Sequence, residues 1–160
     1  MLICSDETNF SLIETNNKQN NRIWANCMPN YCIEKPFHDE NVLVSCAISA
    51  IRVYGPFFFE ETVNQYNYLD MLQKFFWKRH SHTENYTNYY FQQDGAPSHT
   101  ANMVQNWLKG KFLDKFIDTN KWPPRSPDLN PCDYFLWGYL KARVYHPLPK
   151  TISELKTNIE

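Results

Sequence analysis

Residues 89 to 100 read Tyr89-Tyr90-Phe91-Gln92-Gln93-Asp94-Gly95-Ala96-Pro97-Ser98-His99-Thr100. The aromatic start suits an extended strand, and Gly95-Ala96-Pro97 must break it, because proline has no amide to give a ladder and restricts the residue before it. Asp94 therefore falls at a strand tip. Ser98 or Thr100 can cap the next helix, whose apolar side is Met103, Val104, Trp107 and Leu108 and whose end is expected at Gly110. Strand, turn and helix in that order call for a sheet with helices packed on it.

Upstream, Tyr66, Leu69, Leu72, Gln73, Phe76 and Trp77 fit a helix with one mostly apolar side. Val42 to Ile48 is nearly continuous in apolar or small residues, which predicts a strand covered on both faces, with Arg52 to Phe59 beside it. Phe10 to Ile13 and Arg22 to Ala25 flank the polar run Asn16 to Asn21 and suit a hairpin. Leu2 to Ser5 predicts a short strand leading to Asp6. Downstream, the prolines of Trp122 to Pro131 forbid regular structure. Asn130 is a natural N-cap, Pro131 a first helical residue, and Leu136, Tyr139, Leu140 and Val144 the buried stripe of the helix that follows. Ile152 to Ile159 reads as a last helix.

The 160 residues are 42% hydrophobic, 16% aromatic and 21% charged, enough for one core and inconsistent with a disordered tail or a coiled coil. Apolar runs fall far short of the ~20 residues that cross a bilayer. The start, Met1-Leu2-Ile3-Cys4-Ser5-Asp6-Glu7, is not that of a secretion signal, so the five cysteines are expected as reduced intracellular thiols. Cys27 and Cys32 have no second pair to complete a zinc site. Net charge is -1, but residues 1 to 50 hold three Lys/Arg against six Asp/Glu, whereas residues 95 to 150 hold eight against four.

Three carboxylates fall at expected element ends: Asp6, Asp94 and Asp133. Singly, each has an ordinary reading as a solvated turn residue, an Asx turn before Gly95, or an acid satisfying free amides at a helix start. Brought within a few ångströms, they would repel strongly, and a proton or a bound cation would relieve them. All-oxygen ligands favour Mg²⁺ or Mn²⁺, and two such ions about 4 Å apart suit phosphodiester chemistry.

The segments Gln92 to Ala101, Trp122 to Pro131 and Asp133-Tyr134-Phe135-Leu136-Trp137-Gly138-Tyr139-Leu140-Lys141 resemble the catalytic domain of mariner-type transposases. Ser5 to Phe10, Asn21 to Trp24 and Gly55 to Phe59 resemble that family in the same order. The resemblance implies an α/β, RNase H-like mixed sheet flanked by helices. It implies Asp6, Asp94 and Asp133 as catalytic residues binding two Mg²⁺ (or Mn²⁺) ions, and cleavage and strand transfer of DNA at transposon ends, in the nucleus, by a homodimer. Asp128 is the rival third acid, but it lies within the proline-rich connection, whereas the matching family acid opens the helix. Lys121, Arg125, Lys141 and Arg143 are candidates to hold DNA phosphates, a contact that fixes position without reading bases. His99 is expected as a polar residue at a helix start, and Trp122 and Trp137 as core. The family's helix-turn-helix region has no counterpart ahead of Asp6, so one domain, truncated at both ends, is expected. The alternative is an inactive remnant or a domesticated DNA-binding domain.

Overall fold

In the computed structural model, which describes residues 1–12, 40–118, 121–123 and 126–160, the first strand is far longer than its apolar start suggests. β1 (Leu2–Ser11) continues through Asp6, Glu7, Thr8 and Asn9 because β2 (Asn41–Ser49) pairs with it antiparallel from Ile3↔Ser49 to Ser11↔Asn41. Cross-strand pairing overrides the weak strand preference of those polar residues. Asp6 thus lies inside a strand instead of beyond a short one, and Phe10 and Ser11 belong to the same strand. The other half of the expected hairpin, Arg22 to Ala25, lies outside the described residues, as do Cys27 and Cys32.

β3 (Val53–Phe59) pairs antiparallel with β2, with a register shift between Ser45 and Ala47. Gly55 lies in this stretch at φ +146°, where a Cβ would come within 2.7 Å of the Cys46 Sγ. β4 (Tyr90–Gln92) adds to the other edge of β1 in parallel, and β5 (Phe116–Ile117) adds in parallel to β4. The mixed five-stranded sheet has the order β3-β2-β1-β4-β5.

Helices cover both faces. α1 (Gln65–Met71) opens on Asn64, whose side chain accepts the Tyr66 and Asn67 amides, and runs through a π-helical stretch, Leu72–Trp77, into α2 (Lys78–His80). Its buried side is Tyr68, Met71, Leu72 and Phe76, whereas Tyr66 and Gln73 are exposed. The wider π turn rotates the face away from the simple 3.6-residue period. α3 (Pro97–Thr100) and α4 (Asn102–Phe112) follow Ala96 and Ala101, and neither Ser98 nor Thr100 acts as a cap. Gly110 lies inside α4, which ends at Leu113 with φ 54°. These helices pack on Ile3, Tyr54, Phe59 and Phe91.

On the opposite face, Phe10, Val42, Val44 and Cys46 meet Cys132, Leu136, Trp137, Val144 and Leu155. Coverage on both sides accounts for the unbroken apolar run of β2. Asn130 opens the helix as expected, its Oδ1 accepting the Cys132 amide at 3.1 Å. A π-helical stretch, Cys132–Leu136, leads into α5 (Trp137–Val144), and α6 (Ile152–Ile159) is capped by Thr151. Tyr139, expected in the buried stripe, is 44% exposed. Cys4, Cys46 and Cys132 are buried free thiols. No helix among the described residues is long and apolar enough to cross a membrane.

Candidate active site

Asp6 faces the helix 132–144 side of the sheet and is almost fully buried. Trp137 donates its indole N–H to the Asp6 Oδ2 at 2.8 Å. Burial pushes the Asp6 carboxyl up to about 7. The Trp137 bond and the Glu7 amide pull it down, and the charges of Asp133 and Glu7 push it up. Asp133, on the π-helical turn just before Trp137, is therefore close enough to act on Asp6. Its own Oδ2 accepts the Asn130 amide at 3.2 Å.

Asp94 stands two residues beyond β4. The β1–β4 register pairs Leu2↔Tyr90, Ile3↔Phe91 and Cys4↔Gln92. The pairing ends there, with Asp6 two residues further along β1 and Asp94 two residues past β4. The Asp94 Oδ1 accepts the Ala96 amide at 3.0 Å, the Asx turn before Gly95, and also meets the His99 Nδ1 at 2.5 Å. That hydrogen bond holds the Asp94 carboxyl below the usual carboxylate range, against its partial burial.

His99 is more than a polar residue at a helix start. Its ring is buried between two carboxylates, with Nε2 at 3.0 Å from the Glu7 Oε2. Burial alone would lower the imidazole, but its bonds to Asp94 and Glu7 outweigh that and hold it up at about 10. From sequence, Glu7 read only as a solvated turn residue beside Asp6, whereas it anchors the His99 ring. The available signals were the alternation of β1, which sends Glu7 to the face opposite Asp6, and the turn at Pro97, which returns residue 99 beside residue 94.

Each of the three acids has one oxygen oriented by a donor: Trp137 for Asp6, His99 for Asp94 and Asn130 for Asp133. Such outer partners are how oxygen ligands are aimed at a hard divalent cation. Among the described residues, no three His, Cys, Asp or Glu side chains are already gathered into a metal cluster. A carboxylate raised by burial, and further by neighbouring acids, is nevertheless the donor chemistry a cation relieves.

Asp128 is exposed in a 3₁₀ turn, Pro127–Leu129, as its reading as a turn residue expects. Lys121, Lys141 and Arg143 are exposed. Lys141 reaches the Thr8 hydroxyl at 3.4 Å, and the Arg143 guanidinium lies 3.8 Å over the Tyr139 ring. Arg125 lies outside the described residues. Trp122 is half-buried and Trp137 is buried, where it packs edge-on to Phe10 as well as holding Asp6.

The sheet order, with β3, β2 and β1 as an antiparallel meander and β4 and β5 added in parallel beyond β1, and helices on both faces, defines an RNase H-like fold. A family model described as DDE superfamily endonuclease matches residues 1–156, and the chain belongs to that family. It is 29% identical over 147 residues to the Transposable element Tcb1 transposase of Caenorhabditis briggsae, covering 89% of this chain and 51% of that protein. It is 41% identical over 71 residues to the Tc3 transposase of Caenorhabditis elegans, covering 43% of this chain and 20% of that one. A pre-cleavage Mos1 transpososome structure matches with a TM-score of 0.72 at 19% identity, over 98% of this chain and 46% of that chain. The Mos1 mariner transposase catalytic domain matches with a TM-score of 0.63 at 20% identity, over 98% of this chain and 66% of that one. The chain spans about half the length of the Tcb1 relative.

Proposed function

We propose that this chain is the catalytic domain of a metal-dependent transposase, cutting DNA at transposon ends and joining the freed 3′-hydroxyl to a target, with Asp6, Asp94 and Asp133 as metal ligands. The observation that supports the reading is the β1–β4 pairing, past whose last pair, Cys4↔Gln92, Asp6 and Asp94 each follow by two residues, together with the bond from Trp137, four residues after Asp133, to Asp6. Solved Mos1 mariner paired-end complexes with Mn and with Mg support Mn²⁺ or Mg²⁺ as the cofactor, and a pair of ions is what phosphodiester chemistry of this kind would use. Their paired-end architecture supports DNA and a second copy of the chain as partners. We place the reaction in the nucleus, where chromosomal DNA would be met.

When bound, the ions would supply activation of the attacking oxygen and stabilisation of the leaving one. The chain's own part is to orient oxygens and hold DNA. Trp137 keeps the Asp6 Oδ2 in place, and Asn130 does the same for Asp133. Lys121, Arg125, Lys141 and Arg143, near the third acid in sequence, would neutralise backbone phosphates.

The test is incubation with nicked or branched DNA in Mn²⁺ or Mg²⁺, comparing wild type with Asp94→Asn. Metal-dependent strand cleavage by wild type and its loss in Asp94→Asn are expected. Equal inertness of the two proteins would sink the enzyme and leave the inactive DNA-binding reading. Calorimetric Mn²⁺ titration measures the site separately from turnover.

A further inference from the structure

Asp94 belongs to no strand or helix, and its side chain is 50% exposed, conditions in which an aspartate samples several rotamers. Here its Oδ1 is held by the His99 Nδ1 and the Ala96 amide, while its Oδ2 accepts no hydrogen bond among the described residues. His99 in turn is buried and held on several sides. Its ring lies against Tyr68 with centroids 4.2 Å apart, and its carbonyl accepts the side-chain amides of Gln93 at 3.0 Å and Gln105 at 2.8 Å. The Tyr68 hydroxyl closes the loop by donating to the Gln93 Oε1 at 2.8 Å. The far side of the ring is anchored to Glu7, whose other oxygen accepts the Ser45 hydroxyl at 2.8 Å.

Glu7 is the chain neighbour of Asp6. The second acid is therefore tied, through one imidazole, to the strand residue beside the first. Net stability is a poor reason for burying such an ionic contact, because desolvation offsets most of what the pair gains. We propose that His99, anchored by Glu7, is the positioning residue of Asp94, fixing its carboxylate so that Oδ2 is left open to a divalent cation. The inference rests on the proposed function, since it assigns Asp94 to that cation. It follows the general pattern in which an outer partner aims a ligating carboxylate.

Two substitutions separate positioning from packing. His99→Asn can keep a donor near the Nδ1 position, facing Asp94, whereas His99→Gln can keep one near the Nε2 position, facing Glu7. Wild type, both variants, Glu7→Gln and Asp94→Asn are titrated with Mn²⁺ by calorimetry and melted by circular dichroism. The expected result is an affinity loss of roughly 10- to 100-fold in His99→Gln, a smaller loss in His99→Asn and Glu7→Gln, and no binding by Asp94→Asn, with the two His99 variants melting alike. A merely structural His99 would make affinity follow melting temperature, and wild-type affinity in a folded His99→Gln protein would overturn the inference. If neither His99 variant folds, Glu7→Gln decides alone, an undiminished affinity counting against it. Absence of Mn²⁺ binding by wild type would instead sink the proposed function. Positioning is then read from metal-free crystal structures, where Asp94 in one unchanged rotamer in His99→Gln or, failing that, in Glu7→Gln overturns it, and several rotamers support it.

Discussion

Trp137 and Asp6 are 131 residues apart in the chain and joined by a 2.8 Å hydrogen bond between the indole N–H and the Oδ2. The bond crosses from α5 to the middle of β1, so the helix that carries Asp133 is docked on the sheet by way of the first acid. Packing of Trp137 edge-on to Phe10, at a centroid distance of 6.4 Å, sets the same docking from the apolar side. One tryptophan thus couples core packing to the orientation of an acid.

Trp137→Phe separates these roles, since the smaller ring keeps an apolar contact and removes the donor. Loss of a buried bond to a carboxylate, with the space left by the indole, is expected to cost about 2 kcal/mol, roughly 4–8 °C in melting temperature for a domain of this size. Without its donor, Asp6 should be held still higher above the usual carboxylate range. Mn²⁺ affinity should fall with it. Thermal melts and calorimetric titration at pH 7 check both, and an unchanged melting temperature would show the bond to be idle.

The metal-free protein should become less stable from mildly acidic to basic pH. Asp6 is raised from 3.8 to about 7, so the folded state binds more protons than the unfolded chain between those values, and stability falls as pH rises through them. His99 is raised from 6.5 to about 10, so its contribution is full below 6.5 and is lost as pH rises through 10. Asp94, lowered, acts in the opposite sense, its contribution being lost only at acid pH. Melts in EDTA from pH 5 to pH 9 should show the decline, with Asp6→Asn flattening the lower part and His99→Gln the upper. A melting temperature that rises over this range contradicts the assignment. Under the proposed function, Mn²⁺ should stabilise most at the higher pH, where Asp6 is ionised.

The strand and turn at 90–97, the helix start at Asn130 and the doubly covered β2 were legible because local chemistry decides them: a proline that breaks a ladder, an asparagine that caps, an unbroken apolar run. The place of Asp6 inside β1 was not, because Asp6-Glu7-Thr8-Asn9 is extended only by its pairing with β2. The Gly110 stop was wrong for a related reason. Glycine weakens a helix without ending it, and the chain turns three residues later at Leu113. His99 and Trp137 carry contacts made across the fold, which no spacing rule reports. Asp6, Asp94 and Asp133 were singled out as one set by family resemblance, since their spacings alone left ordinary readings open.

Two glycine substitutions should move stability in opposite directions. At Gly55, φ +146° disfavours any side chain, and an added Cβ would meet the Cys46 Sγ at 2.7 Å and the Ser45 carbonyl at 3.2 Å. Gly55→Ala is expected to destabilise by about 1–3 kcal/mol, through strain and overpacking at the β2–β3 shift. At Gly110, inside α4, nothing lies within 4 Å of the added atom. Gly110→Ala should stabilise by about 0.5–1 kcal/mol. Urea denaturation of the pair checks the contrast, and equal midpoints would refute it.

The cations of α5 are predicted to act on DNA by charge. Arg143 is pre-oriented by its 3.8 Å stacking on exposed Tyr139, whereas Lys141 is exposed and reaches the Thr8 hydroxyl of β1, near the first acid. A phosphate contact releases counterions, so removing one should flatten the plot of log affinity against log salt by roughly 0.9. Lys141→Ala and Arg143→Ala should each do so for a labelled duplex measured by fluorescence anisotropy across a salt series. Arg143→Lys should keep the slope while losing some affinity, because the charge stays and the stacked planar fork goes. If both alanine variants keep the wild-type slope, these two side chains are solvated surface, and phosphates are held elsewhere.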